Sequence, residues 1–173
     1  TVVIRGRWQV DGGAGLALER LNFPDGVDVT GGRDVNFANC TFGGTPDALR
    51  ADKVKGLRVE HSIFANGALS LRQTEDVFLS GNIHAAAGMP AVRMDTADAI
   101  RYSDYNSYTA MSPCWEVGRS SWSFADLRGR HDRYSRILAP ELALDRGVPR
   151  LKNEARFRSL GPHSTALGPH HDY

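Results

Sequence analysis

An all-β solenoid, a right-handed parallel β-helix of about five coils, is the fold this sequence predicts, and three observations carry it. First, one pattern recurs at residues 16–23 (LALERLNF), 35–42 (VNFANCTF), 57–64 (LRVEHSIF) and 77–84 (VFLSGNIH). A fifth copy, IRYSDYNSY at 100–108, fits with one extra residue, and the starts step by 19, 22, 20 and 23. A repeat of that period marks a solenoid whose units bury their apolar faces against each other. Second, apolar residues alternate within each copy, as in Val35, Phe37, Cys40 and Phe42, or Leu57, Val59 and Phe64. That is the period of a strand, and Val, Phe and Ile favour pleated backbone. Third, a shorter alternating run precedes each copy after the first: VDVT (27–30), LRAD (49–52), LSLR (69–72) and VRMD (92–95).

The elements follow in order. TVVIRG at the N-terminus already reads as a strand in the stack. No cap is visible there, so that end is expected to be covered by upstream coils, another domain or another subunit. Each coil then runs strand, polar turn (GGRD, KVKG, QTED, TADA), strand, tight polar corner, short strand, and a Gly- or Pro-containing loop (GGTPD, ANG, HAAAGMP). Leucine-rich repeats share the period but need an L-x-x-L-x-L register that this chain lacks. Two interior stacks are predicted: Leu18, Phe37, Val59, Leu79 and Tyr102, and Phe23, Phe42, Phe64, His84 and Tyr108. His84 is expected to be a hydrogen-bonded histidine at a strand end. Past residue 108 the repeat stops. WEVG (115–118) suggests one last strand, and Ser123 to Asp126 has the S-x-x-D form of a capping box flanked by Trp122 and Leu127, which predicts a short helix over 124–128. The chain thus reads as coils over 1–108 and an irregular capping tail over 109–173, packed as one domain.

With 173 residues, 41% hydrophobic and 24% charged, the chain suits one ordinary globular domain. A net charge of +1 gives no argument for nucleic acid, and no apolar run is long enough to span a membrane. Cys40 and Cys114 make neither a disulfide framework nor a metal spacing. His163, His170 and His171 have no carboxylate or Cys spacing that completes a metal site. No G-x-S-x-G, triad context or Gly-rich phosphate loop is present.

The corner between the two strands of each copy reads Cys40, Ser62, Asn82 and Asn106. Small polar side chains can hydrogen-bond up and down a stack at a sharp bend. In this the sequence resembles the pectate-lyase-like β-helix proteins, whose repeats carry such a corner ladder, over residues 16–108. The tail, with SDYNSY, SFADL, GRHDRYS and RFRSLGPHSTALG, resembles the C-terminal ends of secreted bacterial β-helix proteins, in which it folds back to close one end and a flank. The resemblance implies an extracytoplasmic or secreted protein, and the uncapped start suggests a C-terminal portion of a longer one. It also implies an active groove on the face made by the first strand of each coil. No further motif of that family names a nucleophile or a calcium site, so calcium stays open without ligands and no other cofactor is expected.

On that face the alternation places two outward columns, Asp28, Arg50, Ser70, Arg93 and Thr30, Asp52, Arg72, Asp95. Coils stack about 4.8 Å apart and alternate residues lie about 6.6 Å apart, which puts Asp28 about 8 Å from Asp52. That spacing suits an inverting hydrolase, whose carboxyls stand roughly 6.5–9.5 Å apart. Alternatively Arg72 could act as base in a β-elimination if its pKa were specially lowered. Asp28, Asp52 and Arg72 are therefore the catalytic candidates. Arg50, Arg72, Arg93 and Asp95, with Arg58 and Phe78 from the neighbouring strand, are the candidates for binding an acidic polysaccharide. Asn36, Arg58, Phe78 and Arg101 are read as facing outward on that neighbouring strand. A structural reading competes: charges of alternating sign form an ion ladder that keeps the sheet soluble. The functions left open are a polysaccharide lyase or glycoside hydrolase, a polysaccharide binder, and a non-catalytic structural or adhesin-like module, including the inert end of a larger enzyme.

Overall fold

Each coil of the chain lays one short strand onto each of three parallel sheets, and the stack makes a β-solenoid of about five turns. The computed structural model describes residues 2–109, 113–145, 148–158, 160–161 and 168. The expectations for His163, His170 and His171 lie outside the described residues. The first face holds Trp8–Asp11, Val27–Thr30, Asp47–Asp52, Ala68–Arg72, Val92–Met94 and Trp115–Val117. The second holds Ala17–Glu19, Arg33–Ala38, Lys55–Glu60, Val77–Ser80 and Ile100–Asp104. The third holds the two- and three-residue strands from Val2–Val3 through Leu21–Phe23, Thr41–Phe42, Ile63–Phe64, Ile83–His84 and Ser107–Tyr108 to Arg136–Ile137.

Side-chain alternation explains the interior. Val27, Val29, Leu49, Ala51, Leu69, Leu71, Val92 and Met94 point inward from the first face and are buried. Phe23, Phe42, Phe64, His84 and Tyr108 stack from the third face as parallel rings, with centroids 5.6, 5.0, 4.7 and 5.2 Å apart in turn. Offset-stacked rings contribute about 0.5–1.5 kcal/mol per pair beyond the area they bury. His84 takes its place in this column as a neutral ring. The expectation of a hydrogen-bonded histidine does not hold: among the described residues neither Nδ1 nor Nε2 has a partner. Burial pushes its pKa down to about 3.

The second interior stack also needs a correction. Leu18, Phe37, Val59 and Leu79 succeed one another as read, but the next member is Ser103 and not Tyr102. The register shifts between Val77 and Phe78, so Val77 faces Ile100 while Phe78 faces Tyr102. The extra residue of the fifth copy, Arg101, is accommodated as a bulge. A one-residue insertion reverses the inside–outside sense of the residues beyond it. Tyr102 is consequently 40% exposed.

The corners are held by a ladder. The backbone N–H of Cys40 donates to Ser62 Oγ (3.1 Å), Ser62 N–H to Asn82 Oδ1 (3.0 Å), Asn82 N–H to Asn106 Oδ1 (3.0 Å), and Asn106 N–H to Ser135 Oγ (2.7 Å). Just before each corner the backbone turns left-handed, at Asn39, His61, Gly81 and Tyr105.

The tail closes the C-terminal end and one flank. Trp115–Val117 extends the first face in parallel, and Ser120–Trp122 returns antiparallel beside it. The helix Phe124–Arg128 starts at the expected capping box, with Ser123 and Asp126 bonded reciprocally. Farther on, Phe157 packs with Ile63, Ala65 and Ile83 on the outer side of the third face. At the other end Val2 is 62% exposed. Among the described residues, Val2–Val3, Trp8–Asp11 and Ala17–Glu19 are each bonded on one side only. No helix among the described residues is long and apolar enough to cross a membrane.

Candidate functional site

The two columns expected on the first face are in register. Asp28 faces Arg50, Arg50 faces Ser70, and Ser70 faces Arg93, while Thr30 faces Asp52 and Asp52 faces Arg72. Asp28 and Asp52 are thus diagonal neighbours on adjacent coils. Asp95 lies just past the strand Val92–Met94, where its Oδ2 accepts the Gln73 N–H at 3.0 Å. It serves a corner more than the column.

Most charges of this face neutralise each other. Arg7, one coil below, donates from Nε to Asp28 Oδ1 at 2.8 Å, and Gln9 Nε2 donates to Asp28 Oδ2 at 2.9 Å. The hydrogen bond from Arg7 lowers the pKa of Asp28 below the ordinary carboxylate value. Asp47, at the start of its strand, binds Arg50 at 2.8 Å and Arg93 at 3.4 Å, and Arg93 reaches Glu116 at 3.3 Å. Sequence reasoning missed Arg7, Asp47 and Glu116. Arg7 lies 21 residues before Asp28, so the period put it on the adjacent coil without specifying the contact, since the residue in register with Asp28 is Gln9. Among the described residues no ion pair joins Asp52 or Arg72 to a partner, although the two face each other. An inverting pair needs one carboxylic acid kept protonated, and the Arg7 contact drives Asp28 the other way.

The second face is different. Its outward column is Asn36, Arg58, Phe78 and Tyr102, one residue per coil. Arg58 and Phe78, both expected on this neighbouring strand, meet here. The Arg58 guanidinium lies 4.6 Å from the Phe78 ring centroid and also pairs with Glu60 at 3.1 Å. These residues line a cavity of about 220 Å³ together with Asp34, Val35, Asn36 and Gly56. Asn36 Oδ1 is buried and has no hydrogen-bond partner among the described residues. A buried carbonyl oxygen without a donor costs about 1–3 kcal/mol. Gly56, at φ 76°, allows this concavity, since a Cβ there would approach Asp34 Oδ1 to 3.1 Å.

Among the described residues no group of three or more His, Cys, Asp or Glu could hold a metal ion. Cys40 and Cys114 are buried and make no disulfide, and burial pushes their pKa values up to about 11 and about 12. They are therefore poor nucleophiles. Comparison with protein-family models, with curated proteins and with solved structures finds no match.

Proposed function

We propose that this chain is a carbohydrate-interacting β-solenoid that binds an acidic polysaccharide along its second face. The observation that carries the reading is the column Asn36–Arg58–Phe78–Tyr102. It alternates a hydrogen-bonding amide, a cation and two aromatic rings at the coil spacing of about 4.8 Å. An aromatic face accepts the C–H side of a sugar ring, an amide answers its hydroxyls, and a guanidinium answers a carboxylate. The corner ladder, in which the chain resembles pectate-lyase-like β-helices, supports a polysaccharide as the ligand class. A secreted or extracytoplasmic setting fits the same ligand.

Affinity electrophoresis in gels containing polygalacturonate tests this. Retardation is expected with that polymer and not with a neutral glucan, and Phe78→Ala with Tyr102→Ala should abolish it. A second reading, catalysis on the first face, is favoured by Asp52 and Arg72, which form no ion pair among the described residues. Release of reducing ends or unsaturated uronates, lost on Asp52→Ala or Arg72→Ala, would establish that reading. A scaffold or adhesin-like module would show neither retardation nor product.

A further inference from the structure

The tail and the fifth coil together enclose a second cavity, of about 280 Å³, lined by Arg101–Asp104 of the second face and by residues 128–133. Four arginines stand around it: Arg101, Arg128, Arg130 and Arg133. All four are exposed, and among the described residues none of them forms an ion pair. Arg130 instead lies over the Trp122 ring at 4.8 Å and Arg133 over the Tyr134 ring at 5.8 Å. Contact with an aromatic face orients a guanidinium without cancelling its charge. The remaining titratable groups at the cavity are Tyr102, Asp104, His131 and Asp132. Asp104 Oδ1 is occupied by the N–H groups of Tyr105 and Tyr134, at 2.8 and 2.7 Å. His131 is stacked on Trp115 at 5.6 Å.

Asp132 makes this a built junction. Its N–H donates to Ser103 O at 2.7 Å, and its carboxylate accepts from Ser103 Oγ (2.9 Å), Asn106 Nδ2 (2.9 Å) and Ser135 Oγ (2.6 Å). Those bonds fasten the arginine-bearing segment to the solenoid. Asp132 is fully buried, so its oxygens do not face the opening, although its charge still acts on Tyr102 and His131. Against the carboxylates of Asp104 and Asp132, four arginines leave the opening with a surplus of planar cations, two of them oriented by aromatic rings, an arrangement suited to bidentate recognition of oxyanions.

We infer that this cavity is an oxyanion-binding subsite, taking a carboxylate, sulfate or phosphate group at the C-terminal end of the second-face column. The reading of an acidic glycan supplies only the source of that oxyanion. Tyr102 belongs both to the column and to the cavity, so a chain lying over Phe78 would place its next acidic group there. The volume, near the lower end of the roughly 300–1,000 Å³ range of small-ligand sites, suits one ring-sized unit.

The test is isothermal titration of the full chain with three probes: galacturonate, its neutral counterpart galactose, and inorganic phosphate. Arg101→Gln with Arg133→Gln is the variant, and unchanged melting temperature confirms its fold. Saturable binding of galacturonate but not galactose, weakened about tenfold or more in the variant, is expected. Phosphate binding with the same loss, and without galacturonate binding, assigns the site to a free inorganic anion. Absence of saturable binding to both anions, or binding that the variant leaves intact, overturns the inference. Phe78→Ala separates the two claims: it should weaken polymer retardation while leaving the binding of phosphate in the cavity unchanged.

Discussion

His84 shows how much one side chain can be asked to tolerate inside a stack. Its ring lies 4.7 Å from Phe64 and 5.2 Å from Tyr108, with no hydrogen-bond partner for either nitrogen among the described residues. Burial lowers its pKa from the ordinary 6.5 to about 3. The unfolded chain therefore takes up a proton near pH 6.5 that the folded chain refuses until pH falls to about 3. Stability from this site is complete above pH 6.5 and declines toward pH 3, by about 1.4 kcal/mol per pH unit. His131, also lowered by burial, adds a shift of the same sign. His84→Phe should continue the ring column, raise the melting temperature, and flatten its fall between pH 6.5 and 4.5, as read by thermal denaturation across that range. A variant that melts as steeply with pH as the parent would contradict this assignment.

At the scale of the element, the corner ladder and the ring column make separable contributions. Asn82 accepts from Ser62 N–H and donates to Val59 O at 2.8 Å. Asn82→Ala leaves two buried backbone groups without partners and should cost about 3 kcal/mol in chemical denaturation. Phe42→Ala opens a void between Phe23 and Phe64 and should cost about 3–5 kcal/mol. Ser123→Ala removes only the cap of a five-residue helix, so about 1 kcal/mol is expected, as local fraying. Strands, corner and capping box were all legible in the sequence because each follows from a local period or spacing. The outward side of the fifth coil was not. Alternation carried through IRYSDYNSY put Tyr102 inside, and only the position of the extra residue decides otherwise. The pairing of Asp28 with Arg7, and of Asp47 with Arg50 and Arg93, depends on side-chain reach across coils, which a period cannot specify. The cavity beside Tyr102 depends on a tail segment without periodicity, so nothing repeated could announce it.

For the whole molecule, stability is a sum over neighbouring coils, since each strand of a face bonds only to the coils on either side. Hydrogen exchange should mirror that order. The amides of Asp47–Asp52 and Lys55–Glu60, paired on both sides, should be the slowest, and those pairing Val2–Val3 among the fastest. Uniform protection from end to end would contradict the additive picture.

The bulge at Arg101 bears on how such a molecule can change. Neighbouring rungs hold their own register, so one amino acid added in a single turn is taken up as a bulge that adds an outward side chain and leaves the pairs on either side of it, and the other turns, undisturbed. A binding surface can in this way be redrawn by length variation alone. Deleting Arg101 should remove the bulge and keep Ile100 opposite Val77 and Tyr102 opposite Phe78, so added iodide should still quench the Tyr102 fluorescence.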